Sequence, residues 1–144
     1  MFRVRDIIDF LGDPFTEGEY RLTLHSLQVY DSGMVPGPAT TFEVENGDDT
    51  AWVYAGQGSL EEMKYVKSIV LRVSGVEMDW PDADDVFRTF ETELTLNHSA
   101  LLAAHSARQY GLIEEFSWFT GQEFADSAGG IFFTVQARVL LGVR

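Results

Sequence analysis

The chain has no cysteine, which removes disulfides, zinc–thiolate centres and cysteine nucleophiles together and leaves stability to packing or to partner subunits. Cations are scarce as well: ten Lys and Arg face twenty-three Asp and Glu, giving a net charge of −13 and a pI near 4.4. That balance argues against free-standing binding along a phosphate backbone, and an anionic membrane surface would repel the chain. No apolar run approaches the roughly 18 residues needed to cross a bilayer. The opening Met-Phe-Arg-Val-Arg-Asp-Ile-Ile-Asp-Phe sets two aspartates where the apolar core of a secretory signal would lie, so the expected compartment is a cytoplasm.

Catalytic signatures are equally thin. Of three histidines, only His98 and His105 are close in sequence, and on a helix they would lie about 10 Å apart, too far to share one ion. Gly56-Gln57-Gly58-Ser59 lacks both the Gly-Lys-Ser/Thr ending of a phosphate loop and the later glycine of a dinucleotide fingerprint, and it reads as a turn. No Gly-x-Ser-x-Gly elbow occurs. Carboxylates come as Glu61-Glu62, Asp82 with Asp84 and Asp85, Glu91 with Glu93, and Glu114-Glu115. In a strand the neighbours Glu114 and Glu115 point to opposite faces, and the Asp82 group is accounted for by helix capping. Trp52, Trp80 and Trp118 read as core or contact anchors, because too few cations accompany them for a nucleic-acid platform. The expectation is a protein without catalytic, metal or cofactor sites.

What is present is patterning. From Gly130 to Arg144 the residues Ile131, Phe133, Val135, Ala137, Val139, Leu141 and Val143 fall on one face with a period of two, as in a long strand packed on a core. Large apolar side chains, Phe132 and Leu140, also sit on the opposite face beside Gln136 and Arg138, making these four the candidate contacts between copies. Leu112–Phe124 reads as a strand forming an antiparallel hairpin with it through the Gly129-Gly130 turn.

Upstream, Val4, Ile7, Ile8 and Leu11 have helical spacing, stopped by Gly12 and Pro14. Glu19–Tyr30 fits either a bulged strand or a short helix followed by a strand. Asn46-Gly47 marks a turn before a strand at Ala51–Tyr54, and a second strand covers Val66–Val76 across a polar hairpin loop holding Glu61, Glu62 and Lys64. Val86, Phe87, Phe90 and Leu94 mark a helix N-capped by Asp82, and Ala100–Tyr110 a second one closed by Gly111. With 144 residues, 45% of them hydrophobic, the expectation is one domain over residues 1–144. Its class would be α+β, a mainly antiparallel sheet with helices packed on one side.

This order of elements resembles the tail terminator (tail-completion, minor tail protein U-like) family of long-tailed bacteriophages. The matching segments are Val4–Leu11, Val29-Tyr30-Asp31 with Val35-Pro36, Trp52-Val53-Tyr54, Ile69–Val73, Ala83–Leu96, and Trp118-Thr120-Gly121 through Ile131–Val143. The resemblance implies a structural virion protein of the tail or neck, assembled in the host cytoplasm as a homo-oligomeric ring, usually a hexamer. Such a ring caps the head-proximal end of the tail tube, stops tube polymerisation and meets the head connector. Genomic DNA would pass its lumen unbound, with Glu61 and Glu62 as acidic lining that repels phosphates. Met63 and Tyr65 would anchor a mobile Tyr54–Val66 hairpin on the tail-tube or connector partner. Alternative expectations are another neck or head-completion (stopper) protein, an acidic inhibitor of a basic partner, or a small enzyme with a carboxylate-lined cleft.

Overall fold

The computed structural model describes residues 1–10, 18–78, 85–125 and 128–142. In chain order the elements are β1 (Phe2–Phe10), β2 (Glu19–Tyr30), β3 (Gly33–Pro36), β4 (Thr40–Glu45), α1 (Leu60–Met63), β5 (Ser68–Glu77), β6 (Asp85–Thr95), α2 (His98–Ser106), β7 (Gly111–Glu123) and β8 (Gly130–Leu141). They build two antiparallel sheets. One is three-stranded, in the order β1-β8-β7; the other runs β3-β2-β5-β6, with β4 also pairing β2. Their inner faces share one apolar cluster, in which Phe133 of β8 meets Phe87 and Phe90 of β6 at ring-centroid distances of 6.1 and 5.9 Å. A bridge between Phe87 and Phe124 joins the sheets at one corner.

The α+β expectation is overturned. Of the described residues 62% lie in strands and 10% in helices, and the two helices among them form no layer against a sheet. Two of the expected helices are strands, and the reason is the same in both. A β-bulge inserts one extra residue into a strand, so apolar residues on one face become spaced by three instead of two, which imitates the helical period. In β1 the register with β8 slips between Arg5 and Ile8. Val4 and Ile7, three apart, are therefore both fully buried, while Ile8 turns outward at 53% exposure. Asp6 takes up the slip at φ 53°, a left-handed conformation that aspartate tolerates, and its N–H donates to Asp49 Oδ1 at 3.1 Å. In β6 the slip against β5 lies opposite Val73 and Gly75 and spaces Phe87 and Phe90 by three. Asp82, Asp84, Trp80, Leu11, Gly12, Pro14 and Val143 lie outside the described residues.

β2 resolves the open choice as one strand, paired without interruption to β5 from Tyr20 opposite Glu77 to Val29 opposite Ser68. Its change of phase needs no bulge: Leu22 and Leu24 belong to the shared cluster, whereas Leu27 is buried outside it, directly across from Val70. The expected strand at Ala51–Tyr54 makes only a bridge, Val53 with Phe2. The segment around it straps β1 instead. Thr50 both donates its N–H to the Val4 carbonyl and accepts the Val4 N–H on its hydroxyl, at 2.8 and 3.0 Å.

The polar hairpin loop is also corrected. Glu61 and Glu62 sit in α1, capped by the Ser59 hydroxyl, which accepts the Glu62 N–H at 3.2 Å. The helix expected over Ala100–Tyr110 forms as α2 with Asn97 as its cap, and Gly111, at φ 96°, opens β7 rather than ending the helix.

Candidate assembly surface

The expected hairpin of β7 and β8 forms, with Trp118 opposite Val135 and Phe116 opposite Ala137. Partners across an antiparallel ladder point to the same side. Ile131, Phe133, Val135 and Ala137 therefore enter the core, and Phe132, Gln136, Arg138 and Leu140 face outward with Arg3, Arg5 and Ile8 of β1 and Leu112, Glu115 and Phe119 of β7.

The middle of this outer face is polar, and Arg3, Gln136, Glu115 and Arg138 are joined there by hydrogen bonds. Gln136 is buried, accepts Arg3 Nε at 3.0 Å and donates its amide to Glu115. Arg138 Nε donates to the other Glu115 oxygen at 3.0 Å. The guanidinium carbons of Arg3 and Arg138 each lie 4.5 Å from the centroid of Trp52, which holds that ring between two cations. Gln136 and Arg138 are thus committed within the chain. The exposed apolar candidates lie on either side of them. At one end Phe132 is stacked on Phe119, centroids 5.6 Å apart and planes 14° from parallel, with Ile8 directly across from Phe132. At the other, Leu140 and Leu112 are partners at 50% and 54% exposure.

The remaining candidates occupy a separate element. Met63 packs against the core, so of the two expected anchors only Tyr65 is exposed. Glu61 is paired with Lys64, whose pKa is raised above the usual lysine value first by that hydrogen bond. Glu62 is exposed. The structure does not place this group on the sheet face that carries Phe132. Sequence reasoning missed Phe119, Ile8 and Leu112; Phe119 was readable, since it sits out of phase with Phe116 and Trp118 just as Phe132 does with Phe133.

Elsewhere, a groove of about 270 Å³ at the turn between β4 and Asp48 is lined by Glu19, Glu43, Glu45, Asp48, Val44 and Met78. His25 and His98 each donate Nε2–H to a backbone carbonyl, of Gly37 at 3.0 Å and Val66 at 2.8 Å. Among the described residues no three His, Asp or Glu side chains converge as metal ligands.

At the Glu77 end of β5, Asp9 is hydrogen-bonded to Glu77 and Asn46, and Asn46 Oδ1 also accepts the Tyr20 hydroxyl at 2.9 Å. Burial pushes the Asp9 carboxyl above the usual aspartate value despite both bonds, and its Oδ1 has no partner. A carboxyl raised in the folded state favours folding fully only below its unfolded pKa, and that contribution is lost as pH rises through the folded value. Asp9→Asn should therefore melt higher than the wild type at pH 8, with the gap closing as pH falls into the carboxylate range. Paired thermal melts across pH check this; a gap that widens toward acid would contradict it.

No family model matches the chain, and no curated protein matches it either.

Proposed function

We propose that this chain is a structural subunit of a long-tailed phage particle, assembling as a ring at the head-proximal end of the tail tube, where it ends tube polymerisation and joins tail to head connector. The N-terminal helix and the 83–96 helix of the family pattern are strands here over their described residues, so support for the reading rests elsewhere. The observation that carries it is the outer face of the three-stranded sheet, which presents Phe119, Phe132, Ile8, Leu112 and Leu140 to solvent on a chain of net charge −13. A surface of that kind suits permanent contact between subunits. The exposed carboxylates, Glu61 and Glu62 among them, would keep DNA phosphates from adhering as the genome passes.

Adding the purified protein to polymerising tail-tube protein from the same phage should arrest growth and leave a ring at one tube end in electron micrographs. Tubes of unchanged length without terminal rings would refute the assignment. The four-carboxylate groove favours a second reading, an acidic module that captures a basic protein. Pulldown of a strongly basic protein, released by salt, would favour that alternative.

A further inference from the structure

We propose that copies of this chain bind one another through the outer face of the three-stranded sheet, with the stacked pair Phe119–Phe132 and the neighbouring Ile8 as the centre of the contact. This deepens the subunit reading above and rests on it for its place in the particle.

Phe119 is 72% exposed, the most of any large apolar side chain among the described residues. Its stacking on Phe132 holds it in one orientation on the sheet, so little side-chain freedom remains to be lost on contact. Ile8 extends the patch across the ladder from Phe132, brought outward by the β1 bulge. Three apolar side chains from three adjacent strands thus form a continuous rigid plate.

Charge selects the occupant. On this face Arg3, Arg5 and Arg138 stand with Asp49, Glu115 and Glu123, so positive and negative charges balance, whereas the whole chain carries −13. Two copies approaching through the acidic groove beside β4 would bring like charges together. Here they do not. A basic partner would instead be drawn to the acidic groove beside β4. The two kinds of partner respond oppositely to salt. Screening weakens the repulsion between the acidic remainders of two copies and so strengthens self-association, while it weakens capture of a basic protein.

Light scattering on the full chain at low and high salt tests this, using Phe119→Ser, Ile8→Thr and, as a control on α2, the exposed Leu102→Ser. The wild type should exceed the 16.2 kDa of one chain, increasingly so with salt. Phe119→Ser should lower the association constant roughly tenfold or more with melting unchanged, Ile8→Thr should lower it less, and Leu102→Ser should leave it unaltered. A monomeric wild type at both salts, or an assembly that ignores both Phe119→Ser and Ile8→Thr, overturns the proposal. So does an equal loss in Leu102→Ser. Assembly through this face without effect on tail tubes would uphold the contact and overturn the phage reading. Arrested tubes with assembly insensitive to both substitutions would do the reverse.

Discussion

Val135→Asp should leave no folded protein. Val135 is fully buried at the centre of β8, the middle strand of its sheet, between Val4 on one side and Trp118 on the other. β8 carries the inner face of that sheet, since Ile131, Phe133 and Ala137 beside it are fully buried too. An aspartate there would either hold an unpaired charge among apolar side chains or be neutral with no hydrogen-bond partner. Either costs several kcal/mol, comparable with the whole stability of an ordinary domain, about 5–15 kcal/mol. Val135→Ala separates the charge effect from simple loss of packing; it should fold and lose about 2 kcal/mol. Circular dichroism and denaturant titration distinguish the three proteins. A cooperative, wild-type-like transition in Val135→Asp would mean that β8 does not face the core in this register.

The strand legible in the sequence is the one the core depends on. β8 itself holds no inserted residue, the slips against it being taken up in β1 and β7, its turn is marked by Gly129-Gly130, and both its hairpin partner and its inward residues could be read directly. β1 and β6 were misread for a physical reason. Each carries an inserted residue, and parity changes there, so a local count of spacing finds Val4–Ile7 and Phe87–Phe90 three apart and returns a helix. Only the partner strand reveals the slip, and the partner of β1 lies more than a hundred residues away in the chain. The phase change in β2 had a different origin. Leu27 is buried outside the main cluster, so strict alternation fails although the backbone pairing is regular.

The candidate assembly surface was half legible. Phe132 and Leu140 stood out because apolar residues on the outer face of an otherwise alternating strand have no core to enter. Gln136 and Arg138 could not be told from them in sequence. Their hydrogen bonds to Arg3 and Glu115 join strands from opposite ends of the chain, and Trp52 arrives between the two arginines from a strap of irregular backbone. That network ties β1, β7 and β8 together and fixes the positions of the apolar residues on either side. Met63 was assigned outward from a polar hairpin that does not form. In one turn of helix it packs inward, and Tyr65 keeps the exposed position.

Gly75→Ala tests the bulge that misled the reading of β6. Gly75 lies in β5 opposite Leu22 of β2, at the edge of the register slip with β6. A Cβ built there would stand 2.2 Å from the Arg21 carbonyl oxygen and 3.1 Å from the Leu22 Cα, both backbone atoms of the neighbouring strand. No rotamer change can relieve that. The two strands would have to part, and β2–β5 is the central pairing of the five-stranded sheet, with β3 and β4 attached beyond β2 and β6 beyond β5. Overpacking against movable side chains costs about 1–3 kcal/mol, and a clash with fixed backbone should reach or exceed the upper end of that range. Gly142→Ala, where a Cβ meets nothing within 4 Å, should change stability by less than about 0.5 kcal/mol. Chemical denaturation of the two variants side by side decides the matter. If Gly75→Ala proves as mild as Gly142→Ala, β2 does not approach β5 this closely, and the extra residue that spaces Phe87 from Phe90 must be absorbed elsewhere in the sheet.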